Sequence, residues 1–194
     1  MGLGNPGQEY AKTRHNVGFR ALDLLAEYLD VKFDRHKFKG IYARAPAPER
    51  WPNNSLKMAC GADVSPSNGG AFFQRSANSL QSENDDLLLI KPQTFMNLSG
   101  ETVQCFCGYY KIELSKLLIV LDDAALPVGA LRLRRDGSSG GHNGLKDIAQ
   151  RLGSQEFARL RIGVGGREAG TTQPTKDLRE HVLSHFSRAE DDLL

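Results

Sequence analysis

The sequence predicts a single α/β domain built on a mixed sheet. Three observations carry that prediction. Strand-like and helix-like segments alternate along the chain, the pattern of a sheet covered by helices. One of the strands, KLLIV (116–120), is an unbroken apolar run, as in a strand buried on both faces. The length, 194 residues, suits one domain with a core large enough to need no disulfide or metal to hold it.

Each element has its own signal. Val17, Ala21, Leu24, Leu25 and Tyr28 recur at helical spacing, which predicts an amphipathic helix over 16–29 with those side chains inward and Asn16 as N-cap. FKGIYARA (38–45) reads as a strand. In 46–84 Pro, Asn, Ser and Gly dominate around a short strand-like SLKMAC (55–60), so this stretch is expected to be a loop-rich insertion rather than a second core. DLLLIKP (86–92) is a strand stopped by Pro92. Ser99 is the expected cap of a helix that turns Val103, Phe106, Cys107 and Tyr110 to one face. ALRLRR (130–135) alternates Leu131 and Leu133 with Arg132 and Arg134. NGLKDIAQRLG (143–153) is a helix with Asn143 as expected cap, Leu145, Ile148, Ala149 and Leu152 inward, and Gly153 as stop. LRIGVG (160–165) alternates again, and no internal repeat is visible.

Composition excludes several classes. No run of 18 apolar residues exists, so no membrane-spanning helix is expected, and the start MGLGNPGQEY has neither the basic nor the apolar part of a secretory signal. Three cysteines, Cys60, Cys105 and Cys107, argue for a reducing compartment and against a disulfide framework. The net charge of +2 hides an alternation. Residues 11–57 carry ten basic and five acidic side chains, and residues 130–167 carry eight and three. Between them, residues 58–129 carry four basic and eight acidic groups, and 168–194 carry three and six. A fold that brought both basic blocks to one face would suit phosphate; ordinary solvated charge gives the same counts.

The candidate chemistry lies in loops. Gly2, Gly4 and Gly7 spell a dinucleotide fingerprint, but only Met1 precedes it and Pro6 interrupts it, so it reads as a glycine-rich loop that aims Asn5. His15 sits among Thr13, Arg14 and Asn16 just before a helix, where the positive end of the dipole favours a neutral imidazole. A neutral imidazole is a plausible general base, best served by a carboxylate on its other nitrogen. Asp122 and Asp123, after the buried strand, are candidates for that carboxylate, or else simply end the strand in a turn. Asn5, Asn97 and Asn143 each sit in a tight loop (GNPG, MNLSG, GHNG) and could grip peptide amides, or serve as turn and cap residues. Cys105 and Cys107 lack a second pair for zinc; no HExxH cluster or G-x-S-x-G elbow is present, so no metal or serine chemistry is expected.

Together the segments GLGNPGQEYAKTRHNVGF (2–19), KPQTFMNLSG (91–100), DDAALPVGALRLRRDGSSGGHNGLKDI (122–148) and FARLRIGVGG (157–166), with HVLSHF (181–186), resemble the bacterial-type peptidyl-tRNA hydrolases. The resemblance is patchy through 20–90 and runs from 91 nearly to the end. It implies a twisted mixed sheet flanked by helices, a cytoplasmic monomer, no cofactor or metal, and hydrolysis of the ester joining a peptide to the 3′ end of tRNA. It implies His15 as general base, Asp122 as its supporting carboxylate, and Asn5 as the group that tells a blocked amino group from a free one. It places Tyr10, Phe95, Asn97 and Asn143 against the substrate, and Arg134 and Arg161 on the tRNA 5′-phosphate. Arg132, Arg135 and Arg159 would extend that phosphate-facing surface. The partner is then peptidyl-tRNA, held by its acceptor end and backbone, with no membrane. The alternative of a different class is an RNA-binding protein on the same fold without hydrolysis, like chloroplast splicing factors.

The chain departs from that pattern in three places. The strand before GLGNPG is missing apart from Met1, which is expected to expose core surface and weaken the placement of Asn5. Leu121 and Ala125 stand where many members have His and Asp. The 46–84 stretch is longer than the family's hairpin, and Leu194 precedes the usual C-terminal helix.

Overall fold

The computed structural model describes residues 1–46, 86–166 and 177–194. A single 3-10 turn, Arg14–Asn16, leads into helix α1 (Val17–Tyr28). Strands β1 (Arg35–Lys37), β2 (Gly40–Ala45) and β3 (Leu87–Pro92) follow, then α2 (Ser99–Tyr110), β4 (Leu118–Asp123), β5 (Leu131–Arg134), α3 (Asn143–Leu152) and β6 (Ala158–Gly163). Two short helices, α4 (Leu178–Leu183) and α5 (Arg188–Asp191), complete the order. The chain divides into two units, Met1–Ala45 with Leu88–Leu194, and Pro46–Leu87. The second lies almost wholly outside the described residues, as do the expected insertion and its SLKMAC strand. Among the described residues no helix is long and apolar enough to cross a membrane.

The sheet is mixed, as the alternation of elements predicts. Parallel β4 and β6 pair from Leu118↔Ala158 to Asp123↔Gly163, and β5 runs antiparallel to β6, giving the order β4-β6-β5. A second set runs β1-β2-β3. The residues Met1–Leu3 lie between the two sets. The Gly2 N–H donates to Ile90 of β3 at 3.1 Å, while Leu3 N–H to Val120 O and Val120 N–H to Met1 O, both 2.8 Å, attach the other edge to β4. Met1 and Leu3 are buried, so the expected exposed core surface is not there: three residues complete the hydrogen bonding between the sheets. The strand read from KLLIV is buried on both faces except at Leu118, which is exposed at its start. Ile119 and Leu121 point into a core with Leu3, Ile90, Phe106 and Leu145, while Val120 points to the other side with Val17, Ile162 and Val164.

Helix α1 is where the periodicity misled. It buries Val17, Gly18, Leu22 and Ala26, and leaves Leu24 and Tyr28 59% and 69% exposed. Gly18 decides this rotation. A Cβ there would stand 2.5 Å from both Leu3 O and Val120 O, and one at Gly2 would meet Gly18 O at 2.2 Å. Backbone packs on backbone at that point, so Gly18 must face it, and Leu22 and Ala26 on the same stripe are buried with it. The two-residue turn of the β1–β2 hairpin also lay hidden in the predicted strand: Phe38 and Lys39 both take left-handed φ, 48° and 54°, as this hairpin type requires. Phe38 is held there by edge-to-face packing on Phe106 at 5.4 Å.

Three expected helix caps are corrected by the structure. Asn16 makes no cap bond, because its side chain is spent on Asn5. Ser99 is the first residue of α2, not its cap, and its hydroxyl donates to Met96 O. In α3 the cap is His142, not Asn143; Gly153 ends that helix at φ 66°, as expected. The glycine contact yields a direct test. Gly18→Ala should destabilise the chain by roughly 1–3 kcal/mol in urea unfolding through overpacking, whereas Leu24→Ala on the exposed face should change it by less than about 0.5 kcal/mol.

Candidate active site

Asp122 is the penultimate residue of β4, and its side chain is 3% exposed. One of its oxygens, Oδ1, accepts from two imidazoles: His15 Nδ1 at 2.7 Å and His142 Nε2 at 3.0 Å. Burial alone would push this carboxyl up. The charge and N–H of His142, with the N–H and charge of His15, more than offset it and hold Asp122 well below the usual carboxylate range.

The tautomer of His142 follows from its other contact: Nδ1 accepts the Leu145 backbone N–H at 3.3 Å, so its proton sits on Nε2 and points at Asp122. His15 faces Asp122 through Nδ1. The rings stand 5.2 Å apart and tilted by 52°. His142 is the residue that sequence reasoning missed. GHNG drew attention to Asn143, yet a histidine at the start of α3, 20 residues from Asp122, was the available signal. His15, Asp122 and His142 are also a geometrically possible metal cluster. A cation would have to displace both N–H protons and break the His142 cap, so the hydrogen-bonded arrangement accounts better for the tautomers.

The loop that carries His15 is fixed from the side. Asn16 Oδ1 accepts from Asn5 N at 2.8 Å, and Asn16 Nδ2 donates to Asn5 O at 2.9 Å, a reciprocal pair. Asn5 Oδ1 in turn accepts the Met96 N–H at 2.8 Å. Asn5 is therefore buried and held by three bonds, contrary to the expectation that its placement would be weak. The same links bring in the loop of Phe95 and Asn97, and Tyr10 packs edge-on to Phe95 with centroids 6.4 Å apart. Phe95, Asn97 and Asn143 are exposed, and Asn143 follows His142 directly. The decoy glycines serve packing: a Cβ at Gly4 would meet the Phe19 ring at 2.7 Å.

The predicted arginine surface is only partly present. Arg132, Arg134 and Arg135 are exposed on and after β5. Arg161 pairs with Asp123 Oδ2 at 3.2 Å and donates to the Ser138 and Ser139 carbonyls. Arg159 is 1% exposed and donates to the carbonyls of Gln155, Phe157 and Gly137, so it braces the loop after β5 from within. Arg132, Arg134, Arg159 and Arg161 border a shallow recess of about 270 Å³ together with Asp123 and Asp136.

The model of the peptidyl-tRNA hydrolase family matches the chain over residues 1–58 and 53–194. The chain belongs to the peptidyl-tRNA hydrolase family. A peptidyl-tRNA hydrolase of Clostridium perfringens (strain SM101) is 39% identical over 190 residues, which span 98% of this chain and 79% of that relative. One of Clostridium beijerinckii is 37% identical over 194 residues, 100% of this chain and 80% of the relative. The crystal structure of peptidyl-tRNA hydrolase from Acinetobacter baumannii superposes with a TM-score of 0.71 at 33% identity, covering 99% of this chain and 78% of that one. These hydrolases therefore share the fold described above as well as the sequence.

Two stability measurements follow. His142→Ala should cost about 1 kcal/mol through the lost helix cap, and His142→Asn should recover most of it. Asp122, depressed in the folded state, stabilises the fold fully above its ordinary value of 3.8 and loses that contribution as pH falls towards the folded value. Asp122→Asn should thus flatten the acid side of the stability–pH curve, read by urea unfolding from pH 6 down to 2.

Proposed function

We propose that this chain hydrolyses the ester between a peptide and the 3′ end of tRNA, with His15 as general base. The observation that carries this is the 2.7 Å bond from His15 Nδ1 to buried Asp122. It leaves His15 Nε2 with a free lone pair on a loop locked by Asn5 and Asn16. Nε2 takes a proton from water, and the hydroxide attacks the ester carbonyl. The imidazolium that forms lies beside Asp122, which is ionised at neutral pH. His142 stays neutral, because a second proton on Nδ1 would break the cap of α3. Amide donors of Asn97 or Asn143 steady the developing oxyanion, and the ribose oxygen of the tRNA leaves with the proton returned by His15.

Selectivity for a blocked amino group has a simple basis at Asn5. Its Oδ1 is occupied by the Met96 N–H, so Nδ2 is the group left to face substrate. A donor bonds a peptide carbonyl and repels a free α-ammonium, which has only donors to offer. Tyr10 and Phe95 provide the apolar wall beside it. Arg134 and Arg161 hold tRNA phosphate without reading sequence, which suits an enzyme that acts on most tRNAs. The same reading makes the chain a cytoplasmic monomer that needs only peptidyl-tRNA as partner. An RNA-binding protein without turnover would have no use for the His15–Asp122 pair.

His15→Ala should lower release of N-acetylated amino acid from acylated tRNA by about 10²–10⁴-fold, and equal rates for variant and wild type would refute the mechanism. Arg134→Ala should raise KM for intact tRNA while sparing short acylated oligonucleotides, and should reduce the salt dependence of binding.

A further inference from the structure

We infer that Arg14 is a positioning residue for His15, and that the segment Ser184–Glu190 is the other half of the clamp through which it acts. This rests on the function proposed above. Arg14 precedes His15 in the same 3-10 turn, and its side chain is 8% exposed. Its backbone N–H donates to Ser184 O at 3.0 Å. Its guanidinium donates from Nε to Ser184 Oγ at 3.2 Å, from Nη1 to Val164 O at 2.8 Å and from Nη2 to Glu190 Oε2 at 2.8 Å. The plane lies 4.7 Å from the ring centre of Phe186. Thr13 bridges to His185, and Arg20 pairs with Asp191 at 2.7 Å, so the contact extends on both sides of Arg14.

What makes this more than anchoring is where the bonds lead. Val164 follows β6, and its N–H donates to Asp123 O at 3.2 Å. Strand β6 pairs with β4 at Asp122↔Ile162. The Arg14 fork thus references the backbone of His15 to the same end of the sheet that carries Asp122. On the other flank, Asn16 references it to Asn5. The 2.7 Å contact between His15 and Asp122 is therefore set by two fixed points, one on each side of His15. Anchoring alone would not call for a buried guanidinium, since apolar packing of similar volume holds segments together at least as well. A planar fork with directional donors fixes position as well as proximity. Glu190 is built for its part: its carboxylate accepts the N–H of Ser187, the N-cap of α5, in a capping box, and the hydrogen bond from Arg14 holds its carboxyl down to about 2.

The test uses the full chain with Arg14→Lys and Glu190→Gln. Lys keeps the charge but not the fork; Gln keeps the shape but not the ion pair. A misplacement of order 1 Å costs about 10²-fold in rate, so Arg14→Lys should lower kcat by at least about tenfold with KM changed less than about twofold. Glu190→Gln should shift kcat in the same direction and by less. An activity-independent readout accompanies this: the His15 Nδ1–H proton signal by NMR, assigned by its loss in His15→Ala, should broaden or vanish in folded Arg14→Lys. A folded Arg14→Lys with wild-type kcat and an unchanged imidazole signal, or with KM alone altered, overturns the inference. If Arg14→Lys does not fold, the same two readouts on Glu190→Gln decide. If the wild-type chain hydrolyses nothing, the proposed function fails, and the proton signal alone judges the clamp.

Discussion

One carboxylate oxygen organises this molecule. Asp122 Oδ1 accepts from His15 and from His142, and those three residues come from the end of β4, the turn before α1 and the start of α3. A buried carboxylate cannot stand alone in an apolar core; it needs donors, and here both are imidazole N–H groups. The two donors are not equivalent. His142 is committed to a single tautomer by the Leu145 N–H on its other nitrogen. His15 has nothing comparable on Nε2 among its described bonds, so it is the ring that can gain a proton while keeping its bond to Asp122.

For three elements to meet on one oxygen, the backbone around them has to be close-packed. Residues Met1–Leu3 lie between β3 and β4, and Gly2 and Gly18 allow α1 to rest on them with no side chain between. That contact brings the end of the His15 turn down onto the sheet edge where Asp122 emerges. Any β-carbon at Gly18 would lift the helix and with it the turn. Stability and site geometry are coupled here through sterics rather than through charge.

Much of this was legible in the sequence, for definite reasons. Strand β4 was readable as an unbroken apolar run, buried from Ile119 to Leu121, and Pro92 and Gly153 mark the ends of β3 and α3. Asn5, His15 and Asp122 stood out by their places beside a glycine-rich loop, a helix start and a strand end, but local chemistry left turn and cap roles open to them, and the family resemblance supplied the rest. The failures share another origin. The buried face of α1 was set by glycine contact, which hydrophobic periodicity does not register. Asn16 and Ser99 look like caps by local chemistry, yet one bonds Asn5 and the other Met96 O. Arg159 looks like its neighbours in an alternating strand, but is buried under its own loop. In each case a long-range contact claimed a group whose local options looked sufficient.

The arginines show what such contacts do to function. The register opposes Arg132 to Arg161 and Arg134 to Arg159 across β5 and β6, and like charges placed so repel. The repulsion is met by different means at each pair. Arg159 is buried and saturated by carbonyls; Arg161 is half-buried and donates to Asp123 and to the carbonyls of Ser138 and Ser139. Arg132 and Arg134 remain exposed. Arg161 is thus tied to Asp123, the neighbour of Asp122 in the chain, while Arg132 and Arg134 keep their charge exposed at the same recess.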